Sequence, residues 1–166
     1  MLKNAAEPSV EYCAFAGEGD VSIKLQAAPG LCISVNGYDV YFIANEGAYR
    51  EGDEASKEKC FLYRVNVKDR SQEKVLDVTE ELGENRLEYT LWRAGKMYIP
   101  NDDKLCIYEP ETNQVRQIAL PGKEACKILA DEEWLYIING YANESETDIY
   151  RFNPQTEEIA SSCHLK

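Results

Sequence analysis

The sequence predicts an all-β protein built from a repeated unit of four short antiparallel strands. The same order of apolar runs and turns occurs three times along the chain, and the runs are rich in aromatic and β-branched residues. Only residues 79–87 resemble a helix, with Thr79 as a possible N-cap and Gly83 ending the first turn. With 166 residues, 44% of them hydrophobic, the chain is long enough to bury a sizeable core.

The clearest mark of the repeat is a short apolar run with a central tyrosine. The runs are residues 39–43, 96–100 and 134–138, and their tyrosines are Tyr41, Tyr98 and Tyr136. Each run follows a turn-like pair or triplet of residues, as a strand entered from a hairpin does. We expect the three tyrosines to pack between neighbouring units, with their hydroxyls at a sheet margin.

Another shared run follows each tyrosine run and leads into a turn. These runs are residues 62–66, 105–109 and 149–153. The second and third continue into matching proline turns at residues 109–113 and 153–157, whereas residues 66–71 take this place in the first repeat without a proline. Proline fixes φ at the second turn position, so we expect a tight hairpin into a last strand beginning at Val75, Val115 or Ile159.

A further apolar run precedes each tyrosine run, so each unit holds four strands in a meander. These first runs are residues 31–34, 89–92 and 126–129. Repeated four-stranded units of this length are typical of β-propeller blades, whereas a β-sandwich does not require the same pattern to recur. We predict one β-propeller-like domain over residues 1–166, with a hairpin in 1–30 and blades at 31–80, 86–120 and 125–162. Residues 45–59 form a long insertion that we expect to be a mobile loop.

The third repeat resembles a kelch repeat. Its second strand runs into Asn139-Gly140, where that family has a glycine pair, and its third strand runs into an Asn-Pro-x-Thr turn at residues 153–156. Residues 108–112 are similar in the second repeat, and the resemblance covers roughly residues 31–162. Val115 and Ile159 replace the family's tryptophan, and other propeller families fit the first repeat about as well. The resemblance implies a propeller that serves as a protein-binding platform.

The sequence offers little catalytic chemistry. Its single histidine, His164, lies near the end of the chain, which argues against a Ser-His-Asp or Cys-His arrangement and against the copper site of oxidases within the kelch family. The six cysteines are widely spaced, so we expect reduced thiols and no metal site. We predict a non-enzymatic protein without a cofactor. The alternative is a propeller hydrolase or lyase fragment that uses loop carboxylates.

The charge balance excludes two classes of partner. The chain has 30 acidic and 18 basic side chains and a net charge of −12, which disfavours nucleic acid and anionic membrane surfaces. No apolar run approaches the ~20 residues of a membrane helix, and the N-terminus lacks the apolar stretch of a secretory signal. We expect a cytoplasmic protein with a protein partner.

Partner-binding residues are expected in the loops between the second and third strands of each blade, because functional residues concentrate on loops carried by a rigid scaffold. The candidates are Tyr49, Arg50, Asn101, Asp102, Asp103, Tyr141 and Asn143. Tyrosine and arginine are enriched at binding hot spots, which favours Tyr49, Arg50 and Tyr141 among them.

The number of blades predicts an incomplete ring. Three blades and a hairpin are fewer than the usual minimum of about four blades. Uncovered flanks would expose apolar surface, so we expect a homo-oligomer, completion by another chain, or part of a longer propeller. A structural half-propeller that closes by dimerising is therefore a second alternative for the function.

Overall fold

The protein is made of antiparallel β-sheets. The computed structural model describes residues 11–15, 20–24, 33–46, 59–82, 89–122, 125–140 and 147–165. Within these residues, fourteen strands form three four-stranded sheets and one two-stranded hairpin, and one helix has a single turn. The predicted all-β, propeller-like fold class is confirmed, and each four-stranded sheet is one blade.

The hairpin predicted near the N-terminus is present. It pairs β1 (Glu11–Phe15) with β2 (Asp20–Lys24), and Phe15 stands opposite Asp20 at its closed end. The remaining residues of the 1–30 segment lie outside the described part of the chain.

The first blade places its four strands side by side in chain order. The strands are β3 (Ile33–Asn36), β4 (Asp39–Glu46), β5 (Lys59–Asn66) and β6 (Gln72–Asp77). The predicted insertion is shorter than expected, because Glu46 and Lys59 pair with each other as the last rung of β4 and β5. Residues 47–58, which hold the rest of the expected loop, lie outside the described residues.

A single helical turn, α1 (Thr79–Leu82), follows the first blade. The prediction that Thr79 is its N-cap is wrong. The Thr79 hydroxyl instead accepts the Cys60 amide proton at 2.9 Å and donates to the Asp77 carboxylate at 2.6 Å. These bonds tie the segment to β5.

No helix among the described residues is long and apolar enough to cross a lipid bilayer.

The second and third blades repeat the meander. The second contains β7 (Leu91–Arg93), β8 (Lys96–Asn101), β9 (Lys104–Glu109) and β10 (Gln114–Ala119). The third contains β11 (Ala125–Ala130), β12 (Leu135–Asn139), β13 (Thr147–Phe152) and β14 (Ile159–Leu165).

The turn between the third and fourth strands is built by an asparagine in the first and third blades. The Asn66 side-chain oxygen accepts the amide protons of Lys68 and Asp69, at 2.9 and 3.2 Å. The oxygen of Asn153 accepts the two equivalent amide protons, at 2.9 and 3.1 Å. The first blade therefore makes the same turn as the third without the proline that the sequence pattern emphasised, because an asparagine side chain can itself mimic a turn of backbone.

Consecutive blades pack face to face, and we call the side of a blade turned toward the following blade its next-blade face. The repeated tyrosine lies on this face. Tyr41 is 3% exposed, with its ring 4.8 Å from Trp92 and 6.1 Å from Tyr108 of the second blade. Tyr98 is 1% exposed, with its ring 6.1 Å from Phe152 of the third blade. The predicted packing of these two tyrosines between blades is confirmed.

Each junction between blades is a separate apolar core. The first joins the next-blade face of blade one to blade two and contains Tyr41, Ile43, Cys60, Leu62, Val78, Leu82, Met97, Ile99, Cys106 and Tyr108. The second joins blades two and three and contains Tyr98, Leu105, Ile107, Leu120, Ala125, Ile128, Leu135, Ile137 and Phe152. These side chains cover both faces of the second blade.

Tyr136, the third tyrosine of the series, does not pack between blades. It lies on the next-blade face of the third blade, and no described strand packs on that face. Its ring is partly exposed, and its hydroxyl donates to Asp131 at 2.6 Å. The prediction that all three tyrosines are buried between blades is wrong for Tyr136, because burial requires a blade that follows.

The repeated tyrosines should therefore contribute unequally to stability. We expect Tyr98→Ala to lower the free energy of unfolding by about 3–5 kcal/mol, as for other buried aromatic side chains. Tyr136→Ala should cost about 1 kcal/mol, because its ring is only partly covered. Urea unfolding followed by circular dichroism measures both values. Equal losses at the two positions would contradict this description of the blade junctions.

Candidate partner-binding site

The predicted loop residues fall into two groups. Tyr49, Arg50, Tyr141 and Asn143 lie outside the described residues, so their role in binding stays a prediction. Asn101, Asp102 and Asp103 lie where β8 turns into β9, in the second blade.

Asn101 is a buried strand residue rather than an exposed loop residue. It is the last residue of β8 and is 6% exposed. Its side-chain amide donates to the carbonyl oxygens of Glu81 and Leu82, at 3.2 Å each. These carbonyls end α1, where the last carbonyl groups of a helix have no partner within it, so Asn101 anchors the helical turn to the second blade.

Asp102 and Asp103 are exposed, and the backbone of Asp102 joins the second blade to the third. The Asp102 carbonyl accepts the amide proton of Ala125 at 2.8 Å, and the Asp103 carbonyl accepts that of Leu120 at 2.7 Å. Asp102 has a φ of 55°. Among the described residues, no group of three or more His, Cys, Asp or Glu side chains lies close enough together to hold a metal ion.

The next-blade face of the third blade is a candidate surface, and we call it the open face. Strand alternation separates it from the second junction, because Leu135 and Ile137 point toward blade two and are fully buried. The residues between and beside them on the sheet point the opposite way. The centre of the open face consists of Leu129, Tyr136, Ile138, Ile149 and Arg151.

The same positions are covered in the preceding blades. Ile43 and Pro100 occupy the place of Ile138 in the first and second blades, and both are buried. Ile138 and Ile149 are only partly buried, and Leu129 is 59% exposed. The third blade therefore presents apolar side chains where its two predecessors receive another blade.

An aromatic and a cationic group lie together at one end of the open face. The Arg151 guanidinium stands over the Trp134 ring, 4.6 Å from its centroid, and is exposed. Such a pair combines a broad apolar surface with a fixed positive charge, and both residue types are enriched at binding hot spots.

The turn that enters β12 holds this end of the open face in place. The Asp131 carboxylate accepts the amide protons of Glu133 and Trp134, at 2.8 and 2.7 Å, besides the Tyr136 hydroxyl. Arg93 of the second blade donates to the carbonyl oxygens of Asp131 and Glu132. The turn is thus bonded both to its own blade and to the preceding one.

These three hydrogen bonds to the Asp131 carboxylate change its acidity. They favour the ionised form and lower the pKa of Asp131 to about 2, with the Tyr136 hydroxyl as the largest contributor. The same bond raises the pKa of Tyr136. Both shifts favour a neutral tyrosine bonded to an ionised aspartate throughout the neutral range.

The buried thiols of the first junction are poor nucleophiles. Burial raises the pKa of Cys60 and of Cys106 to about 11, so each is protonated near neutral pH. Cys163 is an exposed free thiol on β14, opposite Ile149 at the rim of the open face. Cys60 and Cys106 are buried, so of these three thiols Cys163 is the one open to reagents.

The sequence pattern predicts partner binding at the loops rather than at the open face. The available signal was the tyrosine repeat, because Tyr136 continues a series whose earlier members face the next blade. The repeat alone does not reveal which face of the sheet each tyrosine occupies. Side chains alternate between the two faces of a strand in the same way, whichever face packs against a neighbouring blade.

Comparison with known proteins supports the fold alone. No protein-family model and no curated protein matches the chain. Among solved structures, the chain is similar to an oligogalacturonate lyase in complex with manganese, with a TM-score of 0.51 and 14% sequence identity. The match covers 77% of this chain and 39% of the lyase chain, so the chain spans about two fifths of that protein's length.

The acidity of Asp131 tests the geometry of the turn. We expect Tyr136→Phe to raise the pKa of Asp131 from about 2 toward its ordinary value of 3.8, because the largest stabiliser of the ionised form is lost. A carboxyl with a lowered pKa stabilises the fold above its ordinary pKa, and this stabilisation is lost as the pH falls from about 4 to 2. In Tyr136→Phe this acid-dependent loss should be smaller.

Carbon-detected NMR titration of the Asp131 carboxyl measures the shift, and acid unfolding measures its consequence. Tyr150→Phe is the matched control, since the Tyr150 hydroxyl donates to Asp148 at 3.4 Å and not to Asp131. An Asp131 pKa that is the same in Tyr136→Phe and in the unsubstituted protein would contradict the bond.

Proposed function

We propose that this chain is a non-enzymatic, propeller-type interaction module of the cytoplasm that binds a protein partner. The observation that carries the proposal is the open face of the third blade. This face carries partly exposed apolar side chains and an arginine stacked on tryptophan. In each of the two preceding blades, the corresponding face is buried against the following blade. Adjacent apolar side chains that are left partly exposed to solvent are typical of interaction sites in folded proteins.

The rigidity of the surface favours binding. Its strands belong to a sheet whose other side is buried against the second blade, and Arg93 bonds its entrance turn to that blade. A surface that is already ordered loses little conformational entropy when a partner binds. We also propose a second contact region, formed by the loops that contain Tyr49, Arg50, Tyr141 and Asn143.

The acidity of the carboxyl groups favours binding over hydrolysis. A general acid of the paired-carboxylate type needs a raised pKa to hold its proton near neutral pH. Every carboxyl shift resolved among the described residues is downward, at Asp69, Asp77, Glu109 and Asp131, and each follows from hydrogen bonds or ion pairs. The lyase similarity, at 14% identity, is a similarity of fold.

Substitution on the open face should reduce partner binding. We expect Leu129→Asp to lose captured protein in affinity capture from the source cell, because a charge then lies at the centre of the apolar contact. Val35→Asp is the matched control. Val35 is 60% exposed, close to the 59% of Leu129, and lies on β3 of the first blade, away from the open face.

The loop prediction is tested in the same assay. Replacing Tyr49, Arg50 and Tyr141 together should reduce capture while leaving the melting temperature near that of the unsubstituted protein. Capture that survives both this variant and Leu129→Asp, with Val35→Asp unchanged as well, rejects both surfaces and with them the proposal.

The competing enzymatic function has its own test. We expect no glycoside or polyuronate in a substrate panel to be cleaved by the purified protein, with or without added divalent cations. Cleavage that disappears in the Asp102→Asn, Asp103→Asn double variant would overturn the non-enzymatic proposal, since these carboxylates are the exposed pair of the second blade. The thermal melting curve of the double variant serves as the folding control.

A further inference from the structure

We infer that this protein binds a β-hairpin of a partner protein by strand addition to β1, ahead of the first blade rather than after the third. The hairpin of β1 and β2 forms the last two strands of a further blade, and the partner supplies the first two strands. The inference extends the proposed binding of a protein to a different surface and does not depend on the open face.

The hairpin has the place in the chain of the third and fourth strands of a blade. Four residues connect β1 to β2, and four connect β9 to β10. Eight residues then lead from β2 to the first strand of a complete blade, a length between the thirteen and the five residues that link the described blades. The third strand of each described blade pairs with both the second and the fourth, whereas β1 pairs with β2 alone among the described strands.

The free edge of β1 is suited to binding an extended segment. Along such an edge, backbone N–H and C=O groups at alternate residues point away from the existing partner and can form hydrogen bonds with an added strand. A two-stranded hairpin is also marginally stable by itself in water, so an added strand stabilises it. We therefore expect the partner segment to pair antiparallel with β1, as β8 pairs with β9.

The first blade is only partly covered on the side turned away from the second blade, which we call its rear face. Ile33 on β3 stands opposite Phe42 on β4, and Phe42 stands opposite Tyr63 on β5, so all three share this face. Phe42 and Tyr63 are 2% and 3% exposed, whereas Ile33 is 50% exposed. The rear face is thus buried at β4 and β5 and open at β3.

The third blade shows how the position of Ile33 is covered when the preceding blade has all four strands. Ile128 on β11 stands opposite Ile137, as Ile33 stands opposite Phe42, and in both blades the opposed residue directly follows the repeated tyrosine. Ile128 is only 5% exposed, because it belongs to the second junction. The contrast with Ile33 indicates that the blade ahead of the first one lacks strands.

Val35, which is 60% exposed, gives the same comparison with the second blade. It stands opposite Val40 on the rear face, and Trp92 has the corresponding place opposite Met97. The Trp92 ring lies 4.8 Å from the ring of Tyr41, which belongs to the second strand of the preceding blade. The missing second strand is therefore the one that would contact β3, and we expect it to carry an aromatic side chain.

The described strands of this chain do not supply the missing pair. Strands β3 to β14 already form three complete four-stranded sheets. Residues 1–10, just before β1, contain no apolar run with a central tyrosine. A hairpin from another polypeptide is the occupant that fits, and the net charge of −12 favours one with basic side chains.

A synthetic peptide of residues 89–101 is a suitable probe, because it contains β7 and β8, the first two strands of the second blade. It has one arginine, one lysine and no acidic residue. Fluorescence anisotropy of the labelled peptide should show saturable binding to the full chain. A scrambled peptide of the same composition should bind at least about tenfold more weakly, because it has the same charge without the strand pattern.

Substitutions on the rear face test where the probe binds. Ile33→Asp and Val35→Asp should each raise its dissociation constant at least about tenfold, since each places an unpaired carboxylate in the contact. Leu129→Asp is the matched control, because Leu129 is 59% exposed and lies on the open face. It should change the constant less than about twofold, as for a surface substitution away from the contact. All three residues are exposed, so the variants should keep the fold, as circular dichroism can verify.

Hydrogen exchange measures strand addition separately from apolar contact. Amide exchange in Glu11–Phe15, followed by mass spectrometry, should slow when the probe is bound, because the N–H groups on the free edge of β1 become hydrogen-bonded. The scrambled peptide should leave this exchange unchanged.

The inference is overturned if the probe does not bind saturably or binds no better than the scrambled peptide. Binding that is insensitive to both rear-face variants, or that leaves exchange in β1 unchanged, also overturns it. In the capture assay, a protein held at the open face is lost in Leu129→Asp and kept in Val35→Asp, whereas a protein held at β1 shows the reverse. The inference and the proposed function can therefore fail separately.

Discussion

Burial of one blade face against the next is the interaction on which the rest of this structure depends. A four-stranded sheet with apolar side chains on both faces is not stable alone in water, so each blade needs a neighbour on either side. Tyr41 and Tyr98 meet this need by the same means, since each inserts into the face of the following blade and stacks near its aromatic residues. The second blade, between the two junctions, is covered on both sides.

The open face follows from the same constraint. The third blade is stabilised by its junction with the second, which buries Leu135, Ile137 and Phe152 completely. Its other side keeps the residue types of a junction, with Tyr136 in the repeated position, yet no described strand covers it. The turn at Asp131 lies at the edge of this side. It is fixed by hydrogen bonds from Arg93 to its backbone and from the Tyr136 hydroxyl to the Asp131 carboxylate. The chain thus has an ordered sheet with partly exposed apolar side chains, which is what the proposed binding of a partner requires.

Local sequence predicted the strands well and the roles of individual polar residues less well. Asn101 was predicted to be a binding-loop residue because it lies between the second and third strands of its blade, yet its amide is buried against the end of α1, twenty residues earlier in the chain. Thr79 is of a residue type favoured at helix N-caps, but its hydroxyl accepts the amide proton of Cys60 and not one of the first turn of α1. The sequence pattern emphasised proline in the turns between the third and fourth strands. The hydrogen bonds that form these turns are made by the side chains of Asn66 and Asn153. For Asn101 and Thr79, the hydrogen-bond partner that determines the role of the side chain is about twenty residues away in the sequence. Local sequence patterns do not reveal such partners.

Local patterns along the chain are enough to predict repeated four-stranded meanders, because alternation, turn residues and β-branched content are local properties. The sequence also determined that a tyrosine recurs in each unit and that acidic residues outnumber basic ones. The packing of the blades is needed to see which face of each strand meets a neighbour, and therefore that Tyr41 and Tyr98 are buried in junctions while Tyr136 lies on a partly exposed face. Burial is a property of a pair of sheets, so similar local patterns are buried where another described blade packs on them and only partly buried on the third blade, where none of the described strands does.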